Sequence, residues 1–356
     1  MSPTCVGCGK GVEPSNTFCP FCGLPLRPIG GFRPQHTRHT GAVLNGRYRI
    51  HGFVARGATA RVYLAEDLSN RSLVAVKMFA PSLSRTEELR ERFVREGQAA
   101  RTLDHPHVVR VLDLGETKEG APYLVMEALS GETLGDRMRR DPHFAVSRAL
   151  RLVREAALGL AAVHEAGIVH RDLKPDNLFL VGDLGNARTL KVIDFGMAKL
   201  PRVDTGSAEG LVLGTIEYMA PEQVCAGEPV DARTDVYALG VVLFRMLTGH
   251  LPFDVEKGTD LLGHQLFSPA PPPSWLREEI DSRVERIVLA AMRKRPENRY
   301  PSMEVFLEDL ERALGLAPGM PAGRRLRKAP DVYEPSTESG REAAAFLSKQ
   351  FRLPVR

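Results

Sequence analysis

His170-Arg171-Asp172-Leu173-Lys174-Pro175-Asp176-Asn177 is the stretch on which the reading of this chain turns. It sets a carboxylate, a cation and a side-chain amide at fixed offsets, with Asp172 first, Lys174 two residues on and Asn177 five on. Phosphoryl transfer calls for those groups: a carboxylate to orient a hydroxyl, a cation beside the moving phosphate and a neutral metal ligand. One acid arises by chance easily, whereas an eight-residue string of this kind does not.

Working outward, the two sides of this stretch differ in pattern. Upstream lie short alternating segments, Arg61-Val62-Tyr63-Leu64-Ala65, Leu73-Val74-Ala75-Val76-Lys77-Met78-Phe79, residues 108–114 and Tyr123-Leu124-Val125-Met126, which read as strands. One helical stretch interrupts them at residues 87–101, with Leu89, Phe93 and Ala100 near one face. After about Gly131 helical spacing takes over: Leu150, Val153, Ala157 and Leu160 recur on one face, and residues 235–247 are apolar nearly all round, as a buried central helix requires. The expected body is a strand-rich lobe followed by a helix-rich lobe, with a hinge near residues 126–131.

With these residues assembled, the chain from about Tyr48 to Leu314 resembles the eukaryotic-type protein kinases, particularly the serine/threonine kinases of bacteria. The resemblance implies an α+β, two-lobed protein kinase fold and transfer of the γ-phosphate of ATP, with Mg2+ or Mn2+, to Ser/Thr hydroxyls of protein substrates. It also implies the roles that follow. Lys77, in Val74-Ala75-Val76-Lys77, matches the lysine that pairs with the α- and β-phosphates, and Glu96 the glutamate that holds it. Asp172 matches the catalytic aspartate, and Lys174 sits beside the transferring phosphate. Asp194, in Asp194-Phe195-Gly196, and Asn177 match the two magnesium ligands.

Lys174, together with Gly214-Thr215 before Ala220-Pro221-Glu222, implies Ser/Thr acceptors, with Thr215 bonding near Asp172 and Lys174. Glu222 is expected to pair with Arg299, and Asp235 to brace the catalytic loop. For the nucleotide base, the resemblance implies backbone groups of Glu127 and Leu129, Met126 at the back of the pocket, Val62 and Ala75 above the ring, Phe179 below it and Glu132 toward the ribose.

The phosphate-covering loop departs from the family pattern. Gly-x-Gly-x-x-Gly-x-Val falls on Ala55-Arg56-Gly57-Ala58-Thr59-Ala60-Arg61-Val62, where only Gly57 remains of three glycines. Glycine lets backbone amides approach phosphate closely and adopt positive φ. Alanine costs roughly 1 kcal/mol or more at each position where φ is positive. Two functions therefore compete: an active kinase with a compromised lid, and a pseudokinase, meaning a nucleotide-binding scaffold. Retention of Lys77, Glu96, Asp172, Asn177 and Asp194 together favours catalysis.

Four of the five cysteines stand at the N-terminus, as Cys5-Val6-Gly7-Cys8-Gly9 and Cys19-Pro20-Phe21-Cys22-Gly23. Two such turns supply four thiolates in tetrahedral array, the pattern of a structural Zn2+ site with no open coordination position. A segment this short has almost no core, so the metal would supply most of its folding free energy. A redox pair or two disulfides fit a cytosolic setting less well. The fifth, Cys225, reads as a small buried apolar residue. The expected organisation is a zinc ribbon over 1–26, a linker over 27–46, the two lobes over 47–129 and 130–315, and a basic linker with an amphipathic helix over 316–356.

That last segment clusters Arg324, Arg325, Arg327 and Lys328 and spaces Ala344, Leu347 and Phe351 helically. Thr205 and Ser207 are candidate autophosphorylation sites, with Arg171 positioned to clamp a phosphorylated loop. Composition is that of an ordinary globular chain: 26% charged, 43% apolar and a net charge of +4 across 356 residues. Such a charge does not argue for nucleic acid, and none is expected as a partner. No stretch approaches the roughly 18 apolar residues that span a bilayer. The start of the chain lacks the layout of a secretory signal, so a cytoplasmic location is expected. Expected partners are protein substrates carrying Ser or Thr, a protein bound by the zinc ribbon and a transient homodimer.

Overall fold

The computed structural model describes residues 4–5, 9–13, 19, 21, 35–57, 60–79, 87–182, 189–194, 216–225, 227–253 and 258–316, with backbone alone at 87–89, 92 and 258–260. Cys8, Cys22, Phe195, Gly196, Thr205, Ser207, Thr215 and the tail from 317 lie outside the described residues. The chain forms two compact units. One is Met1–His105 with Val109–Gly131 and Val181–Arg188; the other is Pro106–Val108 with Glu132–Leu180 and Thr189–Arg356.

The first unit is built on an antiparallel sheet of β1 (Val43–Leu44), β2 (Tyr48–Arg56), β3 (Ala60–Asp67), β4 (Ser72–Phe79), β5 (Val111–Glu116) and β6 (Pro122–Glu127). Their order across the sheet is β1-β2-β3-β4-β6-β5. Alternate side chains share a face of a strand. Tyr48 and Ile50, Tyr63 and Ala65, Val74, Val76 and Met78, and Tyr123 and Val125 accordingly form one core cluster. Helix α1 (Glu87–Arg101) packs its Phe93 edge-on to Phe79 of β4, with ring centroids 5.2 Å apart.

Two expectations change here. Residues 108–114 do not run as one strand, because Val108 bridges in parallel to Val192 and β5 begins only at Val111. The segment read as a linker up to residue 46 joins the sheet from Gln35 onward. Gln35 and Phe53 exchange two backbone hydrogen bonds of 2.8 Å, Gly41 donates to Ile50, Ile50 donates to Ala42, and β1 pairs with β2. An unpaired β2 edge would leave backbone groups without partners, and this arm satisfies them.

The second unit is helical: α2 (Leu134–Arg140), α3 (Val146–Glu165), α4 (Pro221–Val224), α5 (Ala232–Thr248), α6 (Gly258–Phe267), α7 (Ser282–Ala291) and α8 (Met303–Ala313). A small sheet of β7 (Gly131–Thr133), β8 (Leu178–Val181) and β9 (Thr189–Val192) accompanies them. Leu150, Val153, Ala157 and Leu160 of α3 are all buried, as their spacing requires. In α5 every residue from Thr234 to Thr248 except Arg245 is buried, so it is the axis about which this unit packs.

Candidate active site

The loop between α3 and β8 carries Asp172, Lys174 and Asn177, and backbone hydrogen bonds alone do not explain its shape. Arg171 adopts φ 62°, a left-handed conformation that costs a non-glycine residue about 1–2 kcal/mol. Both of its peptide groups are held. Asp235 of α5 accepts its N–H at 2.9 Å, and the Gln223 amide of α4 donates to its carbonyl at 2.7 Å. Two net hydrogen bonds of about 1 kcal/mol each offset that strain.

Asp235 is fully buried, and its other oxygen takes the His170 N–H and His164 Nε2, each at 2.8 Å. Burial pushes this carboxyl upward, but the hydrogen bond from His164, the electrostatic influence of the neighbouring imidazoles and the His170 backbone N–H together hold it below the usual carboxylate range. Asp235 is therefore a fixed anion under the loop. Its expected bracing role is visible as three hydrogen bonds.

His170 is buried and connects two parts of the site. Its Nδ1 accepts the Asp172 N–H at 3.2 Å, which leaves the proton on Nε2, facing the Ile193 carbonyl at 3.0 Å. Ile193 donates its own N–H to the Asn177 carbonyl at 2.9 Å. Asp194, the next residue, has φ 61°. The chain turns sharply there, and the backbone leading into the turn, at Ile193, is tied to the loop bearing Asp172.

Within the loop, the Asn177 side-chain nitrogen lies 2.7 Å from the Asp172 carbonyl and 3.2 Å from Asp172 Oδ2. Lys174 Nζ stands 3.4 Å from the same Oδ2. With its nitrogen committed to Asp172, Asn177 has its amide oxygen to offer a cation. The loop contains a partly exposed carboxylate, a cation against it and the Asn177 amide oxygen, and Asp194 follows Ile193 directly in the chain; oxygen donors of these kinds suit a hard divalent ion.

Beneath the site, Glu222 and Arg299 form a buried ion pair, and Thr234 donates to Glu222 at 2.7 Å. Asp176 packs against Gly135 of α2, where a built Cβ would lie 2.5 Å from Asp176 Oδ1. Neither Gln223 nor His164 is singled out by the sequence reading. Gln223 follows Ala220-Pro221-Glu222 directly, which is the one signal that points to it.

In the strand-rich unit, Lys77 lies on β4 opposite Val62 of β3 and Leu124 of β6, with Nζ 5.3 Å from the Phe79 ring centroid. Glu96 follows Phe93 by three residues on α1 and so shares the face that meets Phe79. Ala75 sits opposite Leu64 and Met126. Ala55 pairs with Val62, and Gly57 closes the described part of the loop by donating to Ala60 at 2.9 Å.

Glu127 spends its N–H on the Arg110 carbonyl, while its carboxylate accepts the Arg110 N–H. Leu129 is half-buried, and Phe179 is buried on β8. Glu132 is held by both terminal nitrogens of Arg140, at 2.7 and 2.9 Å.

At the N-terminus, Cys5 and Cys19 are both buried. The turn around Cys5 is closed by Gly9 N–H to the Cys5 carbonyl at 2.8 Å and by Cys5 N–H to Lys10 at 2.9 Å, with Gly9 at φ 71°. Lys10 Nζ lies over the Phe21 ring, 4.7 Å from its centroid. Cys225 is buried beside Leu266, and burial, helped by Glu228 and Glu222, pushes its thiol up to about 12. It is an inert core thiol.

Residues 48–309 match the family model of the protein kinase domain. The chain is 41% identical over 271 residues to the serine/threonine-protein kinase Pkn1 of Myxococcus xanthus, covering 76% of this chain and 38% of that protein. It is 37% identical over 295 residues to PknB of Mycolicibacterium smegmatis, covering 81% of this chain and 45% of that one. The crystal structure of the Mycobacterium tuberculosis PknI kinase domain superposes with a TM-score of 0.60 at 27% identity, over 76% of this chain and 98% of that one. The chain thus spans less than two thirds of the length of these curated relatives.

Proposed function

The chain belongs to the protein kinase family, with its two-lobed fold of a curled strand-rich lobe and a helical lobe, and from that premise we propose that it is an active serine/threonine protein kinase. The observation that carries this reading is the cluster at Asp172: Asn177 bonded to its backbone and carboxylate, Lys174 at 3.4 Å, and Asp194 tethered through Ile193. In this reading Asp172 orients the acceptor Ser or Thr hydroxyl and takes its proton as the oxygen bonds to the γ-phosphorus and the bond to ADP breaks. Lys174 offsets the charge that develops beside it, and Thr215 adds a hydrogen bond to that pair.

Lys77, positioned by Glu96, pairs with the α- and β-phosphates of ATP, and Asn177 and Asp194 hold Mg2+ or Mn2+ through oxygen. The metal, when bound, neutralises phosphate charge. Ala55, Gly57, Val62, Ala75 and Phe179 enclose the nucleotide, with the Glu127 carbonyl and the Leu129 N–H toward the base. The ladder bond from Glu127 N–H to Arg110 agrees with that division.

A structural Zn2+ on Cys5, Cys8, Cys19 and Cys22 belongs to the same proposal. It is supported by burial of two thiols in a segment with little core and by the closed turn at Gly9. The ribbon serves to recognise a protein partner. We assign autophosphorylation to Thr205 or Ser207, a transient homodimer to that step, and a cytoplasmic signalling role to the whole. Among the described residues no helix is long and apolar enough to cross a membrane.

The test is phosphate transfer from ATP-Mg2+ to the chain and to a generic basic acceptor, with Asp194→Asn alongside. Phosphoserine or phosphothreonine in wild type only supports the kinase. Nucleotide binding without transfer, with manganese also tried, would instead favour a nucleotide-binding scaffold, the alternative that the alanine-substituted loop suggests. Metal analysis with Cys8→Ser tests the ribbon, which should hold one zinc per chain and lose it in the variant.

A further inference from the structure

The strand that leads into the phosphate loop is irregular where it should be stiffest. Pairing of β2 with β3 slips in register between Ile50 and Gly52 and again between Phe53 and Ala55, so Phe53 lies between two bulges. The loop begins two residues later, at Ala55. Bulges bend a strand and disrupt its ladder. Between the bulges Phe53 faces Tyr63 as a non-hydrogen-bonded pair, so both of its backbone groups point to the opposite edge.

That edge is where the arm lies. Gln35 and Phe53 exchange both backbone hydrogen bonds at 2.8 Å. Between Gln35 and β1 the arm turns on itself, with Thr37 N–H to Thr40 Oγ1 at 2.9 Å and Thr40 N–H to the Thr37 carbonyl at 3.0 Å. That turn projects the His39 ring edge-on to Tyr63, at 5.6 Å between centroids, while Phe53 meets the same ring edge-on at 6.0 Å. Tyr63 is buried and belongs to the sheet core. Arm, bulged strand and core are therefore clamped around one aromatic side chain.

We propose that residues 35–44 form a brace for the nucleotide loop, in which Gln35, through its backbone, and His39, through its ring, are positioning residues for binding of a nucleoside di- or triphosphate. The inference rests on the kinase reading for the identity of the ligand. A loop with one glycine in place of three cannot adjust its amides freely to phosphate. Its affinity must come from holding β2 in the right place beforehand, since a pre-organised site loses less on binding.

The experiment uses the full chain with Gln35→Pro, which deletes the N–H given to Phe53, and Gln35→Ala, which keeps it. His39→Ala removes the ring contact. Amide hydrogen exchange at Phe53, ADP affinity by calorimetry and the split between KM for ATP and kcat are measured. Gln35→Pro should speed Phe53 exchange, weaken ADP and raise KM by about 3- to 10-fold, the range expected for one net hydrogen bond, and leave kcat near wild type. His39→Ala should shift the same two quantities in the same direction, and Gln35→Ala should be silent.

Unchanged ADP affinity with faster Phe53 exchange would overturn the brace, as would unchanged exchange in Gln35→Pro. Failure of the brace alone leaves phosphate transfer by wild type intact. A wild-type chain that binds no nucleotide would overturn the kinase reading, and the brace with it.

Discussion

Arg299 donates from its two terminal nitrogens to the two oxygens of Glu222, each at 2.7 Å, across 77 residues of sequence and with both side chains buried. Its remaining donor capacity goes to the carbonyls of Arg293, Lys294 and Arg233. Removing one partner strands the other charge in the interior. Arg299→Ala should therefore destabilise the helical unit by about 3–5 kcal/mol, read as a lower urea midpoint. Arg299→Lys should recover only part of this, because an ammonium cannot fork to both oxygens and still reach three carbonyls.

Asp172→Asn separates chemistry from architecture. The amide preserves an oxygen for Asn177 while removing the base. Turnover should fall by about 10²- to 10⁴-fold with the melting temperature within a degree or so of wild type. Near-normal turnover would remove Asp172 from the proposed mechanism.

Gln223→Leu tests whether the left-handed loop has to be held from α4. Loss of the bond to the Arg171 carbonyl should lower kcat by roughly tenfold while KM for ATP stays put, since about 1.4 kcal/mol of positioning is at stake. A KM effect without a kcat effect would contradict the assignment.

Acid sensitivity should map to Asp67. Its hydrogen bond with Arg47, followed by those from Ser69, holds its carboxyl far below the usual carboxylate range. A depressed folded-state value contributes stability that is fully present above the unfolded pKa of about 3.9 and is lost as pH falls toward the folded value. Asp67→Asn should therefore lower the melting temperature at pH 7. The gap to wild type should close progressively from about pH 5 downward.

Gly135→Ala should cost about 1–3 kcal/mol, because the added methyl meets the Asp176 carboxylate. Asp176→Ala in the same chain should recover most of that loss. A double-mutant cycle that came out additive would show that the two do not share the space.

How much of this was legible beforehand depended on how local the cause was. The α1 and α3 helices announce themselves because each carries apolar residues at helical spacing, and α5 because it is apolar nearly all round, while Asp235, Glu222 and Arg299 stand in motif context. The strand β2 does not announce itself: Gly52 and two bulges break its alternation. The arm at residues 35–44 reads as a linker from sequence, since its bonds to β2 are made by backbone and leave no trace in side-chain pattern. Gln223 and His164 carry no local signal for a related reason, as each acts on a partner 52 or 71 residues away.

The left-handed turn at Arg171 has a mechanical consequence. Its N–H is gripped by the central helix and its carbonyl by the short helix that follows Ala220. The loop bearing Asp172 thus works as an interlock between two supports. A shift of α4 of about 1 Å would stretch the 2.7 Å bond from Gln223 beyond hydrogen-bond range, and the strained peptide would be released. Moving α4 would therefore take away half the hold on the loop that bears Asp172, without touching the aspartate itself.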